Sequence, residues 1–209
     1  MKYTYNIIVA LLLLLVASSG KGQSMTDVLL NMPGQIIPLV TYEERLRLVD
    51  LYHSGQKAQI PQVSNDTLQL YTLGNSYIHI RTSAAATVQI KRVGKDKKTI
   101  YAVIYTTEGP VAHSHIELYN SQWEMIPKPQ KLITTVTLKD FIIAQDKSEW
   151  IYRKVITPTI QYTMSEASND IIATPTFVQT VDIESQKELT QYIYSNITIR
   201  WNGKKWVNK

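Results

Sequence analysis

The chain contains no cysteine. That excludes disulfides, a thiolate-ligated metal, a cysteine nucleophile and the class of lipid-anchored export that needs a cysteine directly after its leader. Glycines are few, eight in 209 residues, and none is arranged as a phosphate-cradling loop or as the Gly-x-Ser-x-Gly turn of a serine hydrolase. Only His53, His79, His113 and His115 offer a side chain that titrates near neutrality. The charge excess is small, a formal +5, and the basic residues are scattered. A nucleic-acid surface normally brings a strongly basic patch and a recognisable motif, so no nucleic-acid partner is expected.

What is present begins with a leader. Lys2 supplies a positive start, an unbroken apolar run extends from Ile7 to Ala17 with five leucines at Leu11–Leu15, and the small residues Ala17, Ser18, Ser19 and Gly20 follow. These are the three parts of a secretory signal. The run is about 11 residues, whereas a spanning helix needs about 20. Residues 1–22 are therefore read as a cleaved signal peptide, with Ser19, Gly20 and Gly22 all acceptable as the last residue removed. No other stretch approaches transmembrane length, so the mature form is expected to be without a stable membrane span and to work in the periplasm or outside the cell.

The 13 tyrosines and the many threonines, isoleucines and valines favour pleated, half-buried surfaces. Met25–Asn31 has helical spacing. Thr41 to Gly55 is the clearest helix, with a capping box from Thr41 to Glu44 and a C-terminal glycine. Strands are expected at 67–73, 76–82, 87–92, 99–107, 114–120 and 123–126, joined by short turns as an antiparallel meander with one face on a core and one in water. After Pro127-Lys128-Pro129 comes a short helical piece at 137–144, then strands at 149–156, 159–164, 171–180, 191–201 and 204–207. Residues 165–170 and 182–188 read as polar connections, and Asn202-Gly203 as a tight hairpin turn. The fold class is α+β: N-terminal helices packed on antiparallel β-meander sheets, divisible into two tandem helix-plus-four-strand modules over residues 23–127 and 128–209. The halves end alike, IELYNSQWEMI at 116–126 and ITIRWNGKKWV at 197–207, through duplication or through the general likeness of amphipathic hairpins.

Candidate chemistry is sparse. His113, His115 and Glu117 alternate, so one strand would place them on one face, a nitrogen–nitrogen–oxygen set. Successive same-face positions on a strand lie about 6–7 Å apart, too far for one ion unless the strand bends, and the set reads better as a solvated strand start. His53 ends the best helix, where a cation suits the dipole. His79 lies mid-strand and is expected to face solvent. The run Lys91, Arg92, Lys95, Lys97 and Lys98 around Gly94 reads as a solvated hairpin tip. Asp140, Asp146 and Glu149 are the carboxylates that could form an acid pair, but they read more simply as helix-surface charges. No catalytic, cofactor-binding or metal-ligating residue is assigned, and no cofactor is expected.

The ordered features nevertheless resemble a known family. They are Leu30-Asn31-Met32-Pro33 with Ile37-Pro38-Leu39, then Arg45-Leu46-Arg47-Leu48-Val49-Asp50-Leu51, Tyr101–Thr107 running into Glu108-Gly109-Pro110, and Ser114-His115-Ile116-Glu117-Leu118-Tyr119 closing on Trp123. Together they resemble the Bacteroidales exported family catalogued as domain of unknown function 3256, over nearly the whole mature chain. The resemblance implies a secreted or periplasmic protein without an assigned reaction and supplies no functional residues. The expectation is a non-enzymatic binding or assembly module of the cell envelope, with an envelope protein or polymer as partner. The alternative is an envelope-polymer hydrolase using an unrecognised carboxylate pair.

Overall fold

The structure, a computed structural model, describes residues 23–63, 66–95 and 98–208. The expected signal peptide at 1–22, and Lys97 of the basic run, lie outside the described residues. The fold opens with two capped helices, α1 (Met25–Asn31) and α2 (Tyr42–His53). The Ser24 hydroxyl accepts from the Asp27 amide at 3.0 Å, and Thr41 and Glu44 exchange the reciprocal bonds of a capping box at 2.8 and 3.2 Å. Gly55 follows α2 at φ +71, the left-handed conformation that a helix C-terminus favours. Arg45 is buried, and its guanidinium donates to the carbonyls of Leu29 and Met32 at 3.1 and 2.8 Å. It thereby satisfies orphan acceptors at the end of α1 and locks α2 against it.

A six-stranded antiparallel meander follows: β1 (Gln59–Pro61), β2 (Thr67–Leu73), β3 (Tyr77–Ser83), β4 (Ala86–Val93), β5 (Ile100–Thr107) and β6 (His113–Asn120), in spatial order of sequence. The second half adds α3 (Leu138–Phe141), α4 (Ser148–Lys154), β7 (Gln161–Thr163), β8 (Ile171–Thr174), α5 (Ile183–Tyr192), β9 (Ile197–Trp201) and β10 (Trp206–Asn208). Its four strands form a second antiparallel sheet, ordered β10-β9-β8-β7.

The large sheet has apolar side chains on both faces. Ile78, Ile80, Val88, Ile90 and Val103 pack with Val28, Leu29 and Leu48 of the two N-terminal helices. From the opposite face Tyr77, Val93, Ala102, Ile104 and Leu118 join Phe141, Ile151, Phe177 and Trp206 of the second half. Each fully buried leucine or isoleucine contributes roughly 1.5–3 kcal/mol. The expectation of one dry and one wet face is corrected accordingly: β4 is buried at the four successive residues Val88 to Lys91 and β5 at Tyr101 to Ile104, as a sheet enclosed between two layers must be.

Polar groups join the layers. The Gln89 amide oxygen accepts from the Tyr77 hydroxyl at 2.9 Å and from the Met164 amide at 2.8 Å. Two residues along on the same face, Lys91 Nζ donates to the carbonyls of Ser165 and Glu166, both at 2.9 Å. Lys91 is 1% exposed, so it leaves the solvated hairpin tip to which the sequence assigned it.

The outer strands are covered. β1 is three residues long and ends in Pro61. On β6, Leu118 O accepts from Ile126 N at 2.8 Å and Ser114 N donates to Ile160 O at 2.9 Å. Beside β7, the amides of Tyr162 and Met164 are taken by the side chains of Ser114 and Gln89. On β10, Trp206 N donates to Leu132 O at 2.7 Å, and Trp206 O accepts from Thr134 N at 3.1 Å.

Several expected elements change. Residues 149–156 are not a strand, because α4 occupies 148–154 and buries Ile151 one helical turn from Val155. The connection at 182–188 is the start of α5, which Asp182 caps by accepting from Ser185 N at 2.9 Å. The strand expected from 191 therefore begins at Ile197. The strand at 171–180 stops at Thr174, before Pro175 and a 3-10 turn at Thr176–Thr180. The return at 123–126 is reduced to a bridge between Tyr119 and Met125, because Trp123 turns the chain at φ +62. The first sheet thus has six strands and the second four.

Candidate functional site

The tips of two hairpins meet over one hollow. The β4–β5 turn carries Gly94 at φ +77 and the β9–β10 turn carries Gly203 at φ +92. Both glycines adopt a left-handed conformation that tight reversals require. The first is also a close approach: a β-carbon on Gly94 would run into the Lys98 carbonyl oxygen. Between the tips lies a cleft of about 940 Å3, within the size range of small-molecule sites. Its floor is Ile100, Ile126, Leu132 and Trp201, all half-buried, and its mouth carries Lys95, Lys98 and Lys204, all exposed. Trp201 is fixed from behind by Trp206, with ring centroids 4.4 Å apart, and Trp206 is anchored by donation from its Nε1 to the carbonyl of Asn169. Sequence reasoning found both turns and the basic residues beside the first. It missed their meeting, for which the only sequence signal is that each glycine is followed by lysine.

The histidine set is not convergent. His115 and Glu117 form a pair at 3.8 Å, and the His115 ring stacks on Tyr105 at 4.8 Å. His113 instead accepts at 3.5 Å from the backbone of Ile160. Among the described residues no three histidine or carboxylate side chains gather as a metal site. Glu117 also accepts from the Tyr119 hydroxyl. Burial, reinforced by that carboxylate, pushes Tyr119 up to about 12 and raises Tyr105 further. Tyr101 stacks nearly parallel on Trp123 at 4.4 Å. This aromatic ladder, with Tyr101 and Tyr119 buried, supports β5 and β6 through cross-strand pairs.

His53 lies in the last turn of α2, 3.3 Å from the Thr26 hydroxyl. His79 does not face open solvent as the sequence suggested. It is half-buried between Tyr71 and Tyr77, at 4.8 and 6.4 Å, and burial holds its pKa below the ordinary value. The carboxylates that could have formed an acid pair are separately engaged and exposed: Asp140 accepts from the Thr137 amide at 2.7 Å, and Glu149 pairs with Arg153 at 4.0 Å, while Asp146 sits in a 3-10 turn. Where a carboxyl is displaced from its usual range, at Asp27, Glu44, Asp66 and Asp182, the direction is downward, with hydrogen bonds stabilising the anion.

Against this geometry the comparisons are informative about kinship and silent about chemistry. A family model described as "Protein of unknown function (DUF3256)" matches residues 17–206. The chain belongs to that family. Among solved structures, a domain of an uncharacterized protein from Porphyromonas gingivalis W83 matches with a TM-score of 0.74 at 22% identity, over 88% of this chain and 97% of that one. That likeness shows that the DUF3256 chain shares its α+β fold with the Porphyromonas domain. No curated protein matches. Among the described residues of this DUF3256 chain, no helix is long and apolar enough to cross a membrane.

Proposed function

We propose that this protein is a non-enzymatic binding or assembly module of the cell envelope, delivered to the periplasm or beyond by its leader. The observation that carries the reading is the cleft between the hairpin tips: a concave apolar floor with a cationic mouth, framed by the turns at Gly94 and Gly203. Concavity, an apolar lining and a few placed charges are what a binding site needs. The partner is an envelope protein or polymer. The hydrolase alternative requires two carboxyl groups facing one cleft about 5–10 Å apart with at least one pKa raised. Asp140 and Glu149 are exposed and each held by a neighbour of its own, Asp146 is exposed in a 3-10 turn, and no carboxylate is among the described residues that line the cleft.

The test is affinity capture from an envelope fraction of the native host, run in parallel with a Lys95→Gln/Lys98→Gln variant. The expected result is a component retained by the parent protein and lost by the variant. Release of soluble fragments from purified envelope polymer by the protein alone would overturn the reading.

A further inference from the structure

The cleft separates its chemistry in depth. Its floor is aliphatic apart from Trp201, its exposed lysines sit at the mouth, and the other polar side chains of the described lining are Thr99 and Asn120, the latter already bonded to the Glu124 carboxylate and to the Gln122 and Glu124 amides. A sugar or nucleotide buried there would leave hydroxyls or ring nitrogens without partners, which is costly in an apolar setting. A purely apolar ligand would make no use of three ammonium groups. The arrangement matches a molecule that is divided in the same way, with an apolar body and an anionic end.

The geometry points to a single-chain anionic amphiphile as the ligand: an acyl chain lying on Ile100, Ile126, Leu132 and Trp201, with its carboxylate or phosphate head between Lys95, Lys98 and Lys204. This rests on the binding-module reading and gives the cleft itself a small amphiphilic ligand, beside the protein or polymer partner of that reading. Charge complementarity selects the head, because the described residues lining the cleft include lysine and no acid. Burial of methylenes selects the chain, each added CH2 tightening binding by about fourfold while floor remains to be covered. Trp201 in the floor makes occupancy visible by fluorescence.

The probes are decanoate, dodecanoate, dodecyl phosphate and dodecanol, each titrated into the protein below its aggregation concentration, by calorimetry and tryptophan fluorescence. Dodecanoate is expected to saturate at one per chain, about tenfold or more tighter than decanoate and at least tenfold tighter than dodecanol. Comparison of dodecanoate with dodecyl phosphate then identifies the preferred head. The triple variant Lys95→Gln/Lys98→Gln/Lys204→Gln, which alters only exposed side chains, is expected to reduce dodecanoate to the affinity of dodecanol. Leu132→Asp, checked for folding by circular dichroism, is expected to abolish binding of both. Equal affinity for dodecanol and dodecanoate, or unchanged binding by the triple variant, would each overturn the inference. So would absence of binding by every probe. If envelope capture still succeeds in that case, the ligand class falls while the binding-module reading stands; polymer turnover instead removes both.

Discussion

Lys91 holds Ser165: its ammonium, enclosed between the two halves of the chain, donates to the Ser165 carbonyl oxygen at 2.9 Å and to the neighbouring Glu166 carbonyl at the same distance. Lys91→Met keeps the stem packed and removes both donations. A hydrogen bond from a charged donor is worth about 1.5–3 kcal/mol; water can reach the exposed Ser165 and Glu166, and relief of a desolvated charge returns a further part. The expected net loss is about 2 kcal/mol, read as a lower denaturant midpoint, with faster amide exchange at 164–166. A midpoint equal to that of the parent would show that the bond joins nothing of consequence.

The two tip glycines should respond differently to the same change. At Gly203 a methyl group meets open space, so Gly203→Ala costs only the left-handed backbone, about 1 kcal/mol. At Gly94 the methyl also meets the Lys98 carbonyl, and the turn must open. Gly94→Ala is expected to lose clearly more stability and to weaken any cleft ligand more. The reverse order in thermal melts would contradict the turn geometry.

His79 gives the fold a pH dependence of predictable sign. Its folded pKa lies below the ordinary 6.5, chiefly through burial, with Glu108 opposing. Between those two values the unfolded chain binds a proton that the folded one refuses, so stability falls as pH drops through 6.5. The denaturant midpoint should be lower at pH 5.5 than at pH 7.5, and the difference should shrink in His79→Gln. An unchanged difference in that variant assigns the titration elsewhere.

Phe141 stands edge-on to Phe177, with centroids 5.7 Å apart and planes at 78°, and neither is exposed. Phe141→Ala should cost about 3–5 kcal/mol and Phe141→Leu considerably less. Chemical denaturation of the pair measures both. An alanine variant as stable as the leucine one would mean that the site collapses to fill the cavity.

The fold was readable where local chemistry and tertiary packing agree. Thr41, Glu44 and Gly55 announce α2, and strands β2 to β6 follow their turn residues. Legibility failed where one pattern serves two periods. Trp150, Ile151 and Val155 suit a strand by composition, but Ile151 and Val155 also lie one helical turn apart, and only packing beside Phe141 and Phe177 decides. In α5 the buried residues are only Ser185 and Leu189, too faint an apolar stripe to outweigh a polar composition, although the Asp182–Ser185 cap was there to be read. The burial of Lys91 was hidden because it depends on a loop far along the chain. The cleft was hidden for the same reason: each tip is local, and their apposition is not.

The covered outer strands also bear on how this protein can meet another. Recognition by β-augmentation needs a free row of backbone donors and acceptors at a sheet margin. Here the margin at β1 is short and loses a donor at Pro61, the segment Met125–Ile126 and Ile160 bond to the second, side chains of Ser114 and Gln89 occupy amides at the third, and Leu132–Thr134 bond to the fourth. The same closure protects the protein from templating fibres of its own kind. A partner of the proposed kind would therefore be read by its side-chain and surface chemistry rather than by a borrowed strand.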